Sequence, residues 1–560
     1  MIKRKLLSVT CALAIGASLI FPSLSMAAVE MPTLHNDNPT ANFGDWYTGA
    51  QPAQSSSNKP VILFVQGLHS NYSTWTGSDS YYEAAYNAGY RTAFVQLKDA
   101  DQDGGDMYTN GEVLANVIRK VAAYYNVPKI NIIAHSKGGI DTQTALVHYG
   151  AAPYVNVVHQ LSTPNKGSEL ADIAYSKWAS WLADILEQKD AAVYSLQTSY
   201  MANYRAITDS RTENNLTKTY MSGGTGDDGI FTSYWFAHAF LPGEDDGAVA
   251  IYSAFGIPYG ISSFTKNISH SAMTKASKTW NLVQPKLRLD SGLALTALTS
   301  ATLTSIEKNV ENNSSDINQI SIDADKTEIE SINGSQNSLS LNTGAEENGN
   351  FILRGGEING TEYVSIPLES GIKSVAFEVM TSKSSTEITL ISPSGKSYSP
   401  TPTKKHNDPD GIFAKAVRRE FQVSKPEAGE WKIKISGNED AYFAITHINT
   451  SDKNIVKANK KVFKKGEKPS ISLDFDKGFK GKIKQPKISK SIKNGIKAAE
   501  SQSLESNAVD SNDNITFEVP NESGVYNFSF DVEGVNTKGE KVVRSINYNF
   551  AVTDNQGNIK

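Results

Sequence analysis

Thiol chemistry is nearly absent from this chain: its 560 residues include one cysteine, Cys11, so neither an intrachain disulfide nor a cysteine-ligated metal centre can form. Beyond the N-terminus no stretch reaches the roughly 18 consecutive apolar residues of a membrane span. A net charge of −5 leaves no basic excess for a nucleic-acid partner. What the N-terminus does carry is Lys3-Arg4-Lys5, an apolar stretch from Leu6 to Phe21 and then Ser25-Met26-Ala27, the form of a secretory leader with its small-x-small cleavage site. Residues 1–28 are therefore expected to be removed, Cys11 with them, and the protein to act outside the cell.

The chemistry concentrates at Ile130-Asn131-Ile132-Ile133-Ala134-His135-Ser136-Lys137-Gly138-Gly139, which reads as a short buried strand entering a sharp turn around one serine. Small residues two positions either side of such a serine, here Ala134 and Gly138, let strand and helix approach and push the hydroxyl outward. In this arrangement the acid and then the histidine follow the serine in the chain. His270, His406 and His447 follow the expected acid, and the last two lie in segments of different composition, which favours His270. For the acid, Asp246 in Gly243-Glu244-Asp245-Asp246-Gly247 borders an apolar run; Asp228 in Asp227-Asp228-Gly229 is the rival. Negative charge developing on the tetrahedral intermediate needs backbone N–H donors. Lys137, next after the serine, supplies one; Leu68, in Gln66-Gly67-Leu68-His69-Ser70 after the strand Val61 to Val65, supplies the other.

These motifs, with Asn110-Gly111-Glu112 and Ser162-Thr163-Pro164-Asn165-Lys166-Gly167-Ser168 between them, stand in the order of the secreted bacterial triacylglycerol lipases, and the stretch from Val61 to His270 resembles that family, with a Bacillus-type Ala-His-Ser-x-Gly elbow. The resemblance implies an α/β-hydrolase catalytic domain with a mostly parallel sheet, Ser136 as nucleophile, Asp246 as orienting acid, His270 as general base, the amides of Leu68 and Lys137 as the oxyanion hole, and an acylglycerol substrate met at a lipid interface. A phospholipase or a polyester depolymerase would use the same triad. A reading from another class is a surface-binding protein whose hydrolase domain is inactive. Where the family has His-Gly before the oxyanion loop this chain has Gln66-Gly67, and where some relatives place a calcium-binding Asp it has Ala272.

No cofactor is required by this chemistry. Asp99-Ala100-Asp101-Gln102-Asp103-Gly104 has the first half of an EF-hand loop, so Asp99, Asp101 and Asp103 are candidate calcium ligands, although Asn110 replaces the closing Glu. Asn110 is expected instead to cap a helix starting at Gly111.

With roughly 530 residues after the leader, the length suggests three domains. The catalytic domain is expected over 29–290, with a lid near 172–242 carrying Trp178, Trp181, Leu182, Ile185, Leu186, Met201 and Tyr204. A Ser/Thr/Asn-rich linker over 291–345 follows. Short alternating runs between Gly, Pro and Asn turns then predict two all-β sandwich domains, a module over 346–450 and an immunoglobulin-like one over 451–560. The second opens with Lys457, Lys460, Lys461, Lys464, Lys465, Lys480, Lys482, Lys484, Lys487, Lys490 and Lys493, a candidate contact for anionic cell-wall polymer or phospholipid.

Overall fold

A computed structural model describes residues 29–54, 59–101, 104–187, 189–226, 240–288, 347–401, 412–413, 415–451, 455–458, 460–475, 479–492, 495–498, 508–510 and 513–559. The expected leader and the 291–345 linker lie outside the described residues, as do Asp103, Asp228 and His406.

In the first half, strands β1 (Thr33–His35), β2 (Trp46–Thr48), β3 (Ile62–Val65), β4 (Thr92–Val95), β5 (Ile130–His135), β6 (Val155–Leu161), β7 (Lys218–Gly224) and β8 (Ile261–Lys266) form one sheet in the order β1-β2-β4-β3-β5-β6-β7-β8. All pairings from β4 to β8 are parallel, and only the β1 and β2 edge is antiparallel. A parallel strand is covered on both faces, which is why Ile62-Leu63-Phe64-Val65 and the whole of β5 are buried. Alternation divides them: Leu63, Val65, Ile130 and Ile132 pack on one face, Ile62, Phe64 and Ile133 on the other.

The helices between the strands are α1 (Tyr81–Asn87), α2 (Met107–Tyr124), α3 (Gly138–His148), α4 (Glu169–Ala174), α5 (Ser180–Ile185), α6 (Ala191–Ser195), α7 (Thr198–Thr208), α8 (Ile251–Ala254) and α9 (Ala276–Val283). The expected cap of α2 is corrected. Asp106, not Asn110, accepts the first free amides, from Tyr108 and Thr109 at 3.0 and 2.8 Å, so the helix begins a turn earlier and Asn110 faces inward.

The second half is all β: β9 (Glu347–Asn348), β10 (Phe351–Leu368), β11 (Ser374–Thr381), β12 (Glu387–Ile391), β13 (Ser397–Tyr398), β14 (Val417–Ser424), β15 (Gly429–Asn449), β16 (Ile455–Ala458), β17 (Val462–Lys464), β18 (Ser470–Asp474), β19 (Lys480–Ile492), β20 (Gly495–Ala498), β21 (Ala508–Asp510), β22 (Asp513–Thr516), β23 (Gly524–Val535) and β24 (Lys541–Thr553). They form three sheets of sandwich-like arrangement, built almost wholly of antiparallel pairs. The runs are not all short. β10 and β15 hold 18 and 21 residues and pair along their length, because Asn359, Gly360, Gly437 and Asn438, which read as turn residues, sit in the ladder beside a bulge at Ile358/Asn359. Of the lysines, Lys464, Lys465, Lys480, Lys482, Lys484 and Lys487 are exposed, whereas Lys490 is buried against Glu522 and Lys461 bonds Thr198.

The halves share a core. Trp178, Leu182, Leu186 and Met201 of the helical segment are buried in one cluster with Phe351, Leu353, Met380, Phe443 and Ile445 of the β half. Trp181 and Ile185, read as part of the same stripe, lie outside it, 46% and 47% exposed.

Candidate active site

The elbow forms where β5 ends. Ser136 has φ +52°, a left-handed conformation that costs a residue with a Cβ about 1 kcal/mol and persists only where its surroundings fix it. Ser136 N–H donates to Leu161 O on β6 at 2.9 Å, and Gly139 N–H donates to Ser136 O at 3.0 Å. Gly138 must lack a side chain, since a Cβ there would stand 2.2 Å from Gln66 O. The elbow thus aims the start of α3, with the Lys137 amide, toward the end of β3.

Chain order brings the acid to the histidine. Asp246 follows β7 and His270 follows β8. His270 N–H donates to Asp246 O at 3.0 Å, and His270 Nδ1 lies 2.9 Å from Asp246 Oδ2. Asp246 Oδ1 accepts the amides of Ala248 and Val249 at 3.1 and 2.8 Å. Burial pushes this carboxyl up, but the His270 charge and hydrogen bond, the Ser162 hydroxyl and the Val249 amide together hold it below the usual carboxylate range. An ionised carboxylate on Nδ1 fixes the proton there and leaves Nε2 as the basic nitrogen.

Pattern reading gave His135 no role. Its Nε2 donates to His270 O at 3.0 Å and its ring lies 4.6 Å from the His270 ring. Burial pushes it down to about 3, with the neighbouring His270 adding to the effect, so it stays neutral. The residue beside the serine therefore holds the backbone of the histidine. Its place next to Ser136 was the one signal available in the chain.

Leu68 and Lys137 are both buried, and the Leu68 side chain joins the cluster of Ile140, Trp178 and Leu182. His69 follows with φ +52°, its imidazole paired to Asp190, which caps α6 through Val193 N at 2.9 Å. The acidic loop splits. Asp99 is buried and bonds His69 N, Asn110 and Lys137, whereas Asp101 accepts from Asn42 N, Asn42 Nδ2 and Phe43 N. Among the described residues no group of three or more His, Cys, Asp or Glu is placed to hold a metal. His447 lies in β15, in the β half.

Over the helical segment lies the β half, through polar as well as apolar contacts. Gln197 Oε1 accepts from Ser491, Asn527 and Asn549 at 2.9, 3.2 and 3.1 Å, and Asn549 Oδ1 accepts Ser199 N at 3.0 Å. Lys177 N–H donates to Ser529 Oγ at 3.3 Å.

No protein-family model and no curated protein matches the chain. Among solved structures it is similar to the Bacillus licheniformis lipase BlEst2 in propeptide form, with a TM-score of 0.67 and 24% identity over 92% of this chain and 99% of that one. The same lipase in mature form is 38% identical over 44% of this chain and 100% of that one, with a TM-score of 0.41. An esterase of Rhodococcus sp. is 14% identical over 46% of this chain and 98% of its own, with a TM-score of 0.28. The first likeness spans both halves of the molecule, and with it the chain takes its place among proteins of the α/β-hydrolase fold.

Proposed function

We propose that this protein is a secreted serine ester hydrolase, a lipase acting on acylglycerol esters. The reading rests on one observation: the His270 imidazole is bonded to a buried, ionised Asp246 and tied through His135 to the strained turn that carries Ser136. In the acylation step the Ser136 oxygen attacks the ester carbonyl while His270 Nε2 takes the hydroxyl proton. The tetrahedral oxyanion is met by the amides of Leu68 and Lys137, and collapse expels the alcohol, which receives that proton from His270. Water then repeats the sequence on the acyl-Ser136 ester and releases the acid. Asp246 stays ionised throughout and stabilises the imidazolium. None of these steps calls on a metal; calcium at Asp99 would displace the bonds this carboxylate makes to His69, Asn110 and Lys137.

A fluorophosphonate probe tests the reading, with a panel of p-nitrophenyl esters, emulsified triolein, phosphatidylcholine and polyhydroxybutyrate. The expected result is labelling lost in Ser136→Ala and a higher rate on emulsion than on dissolved ester. Preference for phosphatidylcholine or the polyester would move the substrate class. A wild-type chain that neither labels nor cleaves any ester is the surface-binding protein of the alternative reading.

We further infer that the β half is a pro-region that keeps the helical segment closed. The propeptide-form lipase that overlays on both halves supports this reading, as does the burial of Trp178, Leu182 and Met201 in one cluster with side chains of β10, β11 and β15.

A further inference from the structure

Beneath the two oxyanion amides lies a buried cluster of charge that acyl transfer itself does not use. Asp99, Asn110, Lys137 and Asp141 are each at most 1% exposed. Lys137 Nζ donates to Asp141 Oδ1 and Oδ2 at 3.0 and 2.9 Å and lies 3.4 Å from Asp99 Oδ2. Asn110 Nδ2 bridges the two carboxylates, 2.6 Å from Asp99 Oδ2 and 3.0 Å from Asp141 Oδ2. The other oxygen of Asp99 accepts the His69 N–H at 3.3 Å. One carboxylate therefore touches both loops of the oxyanion hole: the backbone just after Leu68 and the side chain of Lys137.

We propose that Asp99 is the positioning residue of the oxyanion hole, setting the separation of the Leu68 and Lys137 amides by binding both of their segments at once. The proposal rests on the ester-hydrolase reading above. Asp99 touches no reacting atom; it acts through His69 and Lys137.

Stability alone does not call for this arrangement. Removing an ammonium and two carboxylates from water costs several kcal/mol per ion, and a packed apolar cluster of equal volume is often as stable or more so. What charge-assisted bonds add is direction and fixed length, where donors must stand within about 0.5 Å of their working positions. The Leu68 loop needs such a hold. His69 sits in a left-handed conformation, and its N–H···Asp99 bond on one side and its imidazole pair with Asp190 on the other restrain it. On the elbow side, the Lys137 side chain is the handle by which the same carboxylate reaches the second donor.

The test uses the full chain carrying Asp99→Asn, Asp99→Glu or Asp141→Asn, with active sites counted by fluorophosphonate titration so that unfolded protein does not enter the rates. Measured are kcat and KM on a soluble p-nitrophenyl ester and inhibition by an alkyl boronic acid, whose tetrahedral adduct occupies the oxyanion hole. Asp99→Asn and Asp99→Glu are both expected to lower kcat roughly 10- to 100-fold with KM within about twofold, and to weaken the boronic acid by the same factor as kcat/KM. Asp141→Asn removes equal charge without touching His69 and is expected to lower kcat several-fold less. The proposal is overturned by Asp99→Glu with wild-type kcat, which makes the cluster a charge balance only, by equal losses in Asp99→Asn and Asp141→Asn, or by lost kcat with unchanged boronic acid affinity. Wild-type protein that labels and turns over while Asp99→Asn does the same ends this proposal alone. Wild-type protein that does neither ends the hydrolase reading with it.

Discussion

At the scale of single residues, the proposed mechanism divides the site into groups that would carry the chemistry and groups that would hold them. Asp246→Asn keeps the shape of the acid but offers the wrong hydrogen-bond partner to His270 Nδ1, so kcat is expected to fall about 10⁴-fold with little change in KM, read by steady-state kinetics on a p-nitrophenyl ester. His135→Phe keeps ring volume but loses the donor to His270 O; a kcat loss of roughly 10-fold is expected, and an unchanged kcat would remove His135 from the positioning group. The turn at Ser136 and the meeting of His270 with Asp246 were legible in the chain because strand, turn and chain order constrain them locally. The side-chain contacts of Asp99, His69, Asp190 and Lys137 were not. Asp99 and Lys137 are distant in sequence and meet only in the fold, and nothing in Asp99-Ala100-Asp101 distinguishes a carboxylate that binds an ammonium from one that binds calcium.

Among the elements, the parallel sheet was readable from its unbroken apolar strands, and the β character of the second half from its alternation. The packing of one half on the other was not, since it depends on which faces meet rather than on any local pattern. Gly355 marks how close that contact is: a Cβ there would stand 1.9 Å from Trp178 O, so β10 lies directly against the segment before α5. Gly355→Leu must open the contact, at a cost of roughly 1–3 kcal/mol. If the β half holds the helical segment closed, this variant melts at lower temperature and hydrolyses emulsified triolein faster than wild type. Calorimetry alongside a triolein assay reads both, and a lower melting temperature with an unchanged rate would count against the pro-region.

For the molecule as a whole, the docked state is expected to respond to pH through two buried acids. Burial pushes Asp172 up to about 8, with Glu169 adding to it and Lys461 and the Thr198 bonds opposing it. Burial also pushes Glu378 up to about 8, Arg418 opposing and the facing Glu420 adding. Asp172 bonds Thr198, whose hydroxyl meets Lys461 and Asn549 of the β half, and Glu378 shares a strand face with Met380 in the common core. The folded chain thus keeps two protons that an opened chain releases near pH 4, so these groups favour the folded form at low pH and lose that contribution as pH rises from about 4 to 8. Melting temperature is expected to fall across that window, and Asp172→Asn with Glu378→Gln to flatten the profile; an unaltered slope in the double variant would assign it elsewhere. The bond between Gln197 and Asn549 joins positions 352 residues apart in the sequence. At a ribosome making about 5–20 residues per second, the helix-bearing half waits roughly 20–70 seconds for the strand that shelters it. During that interval every nascent chain carries Trp178, Leu182 and Met201 without the β half over them, so the rate of translation sets how long newly made protein is open to self-association.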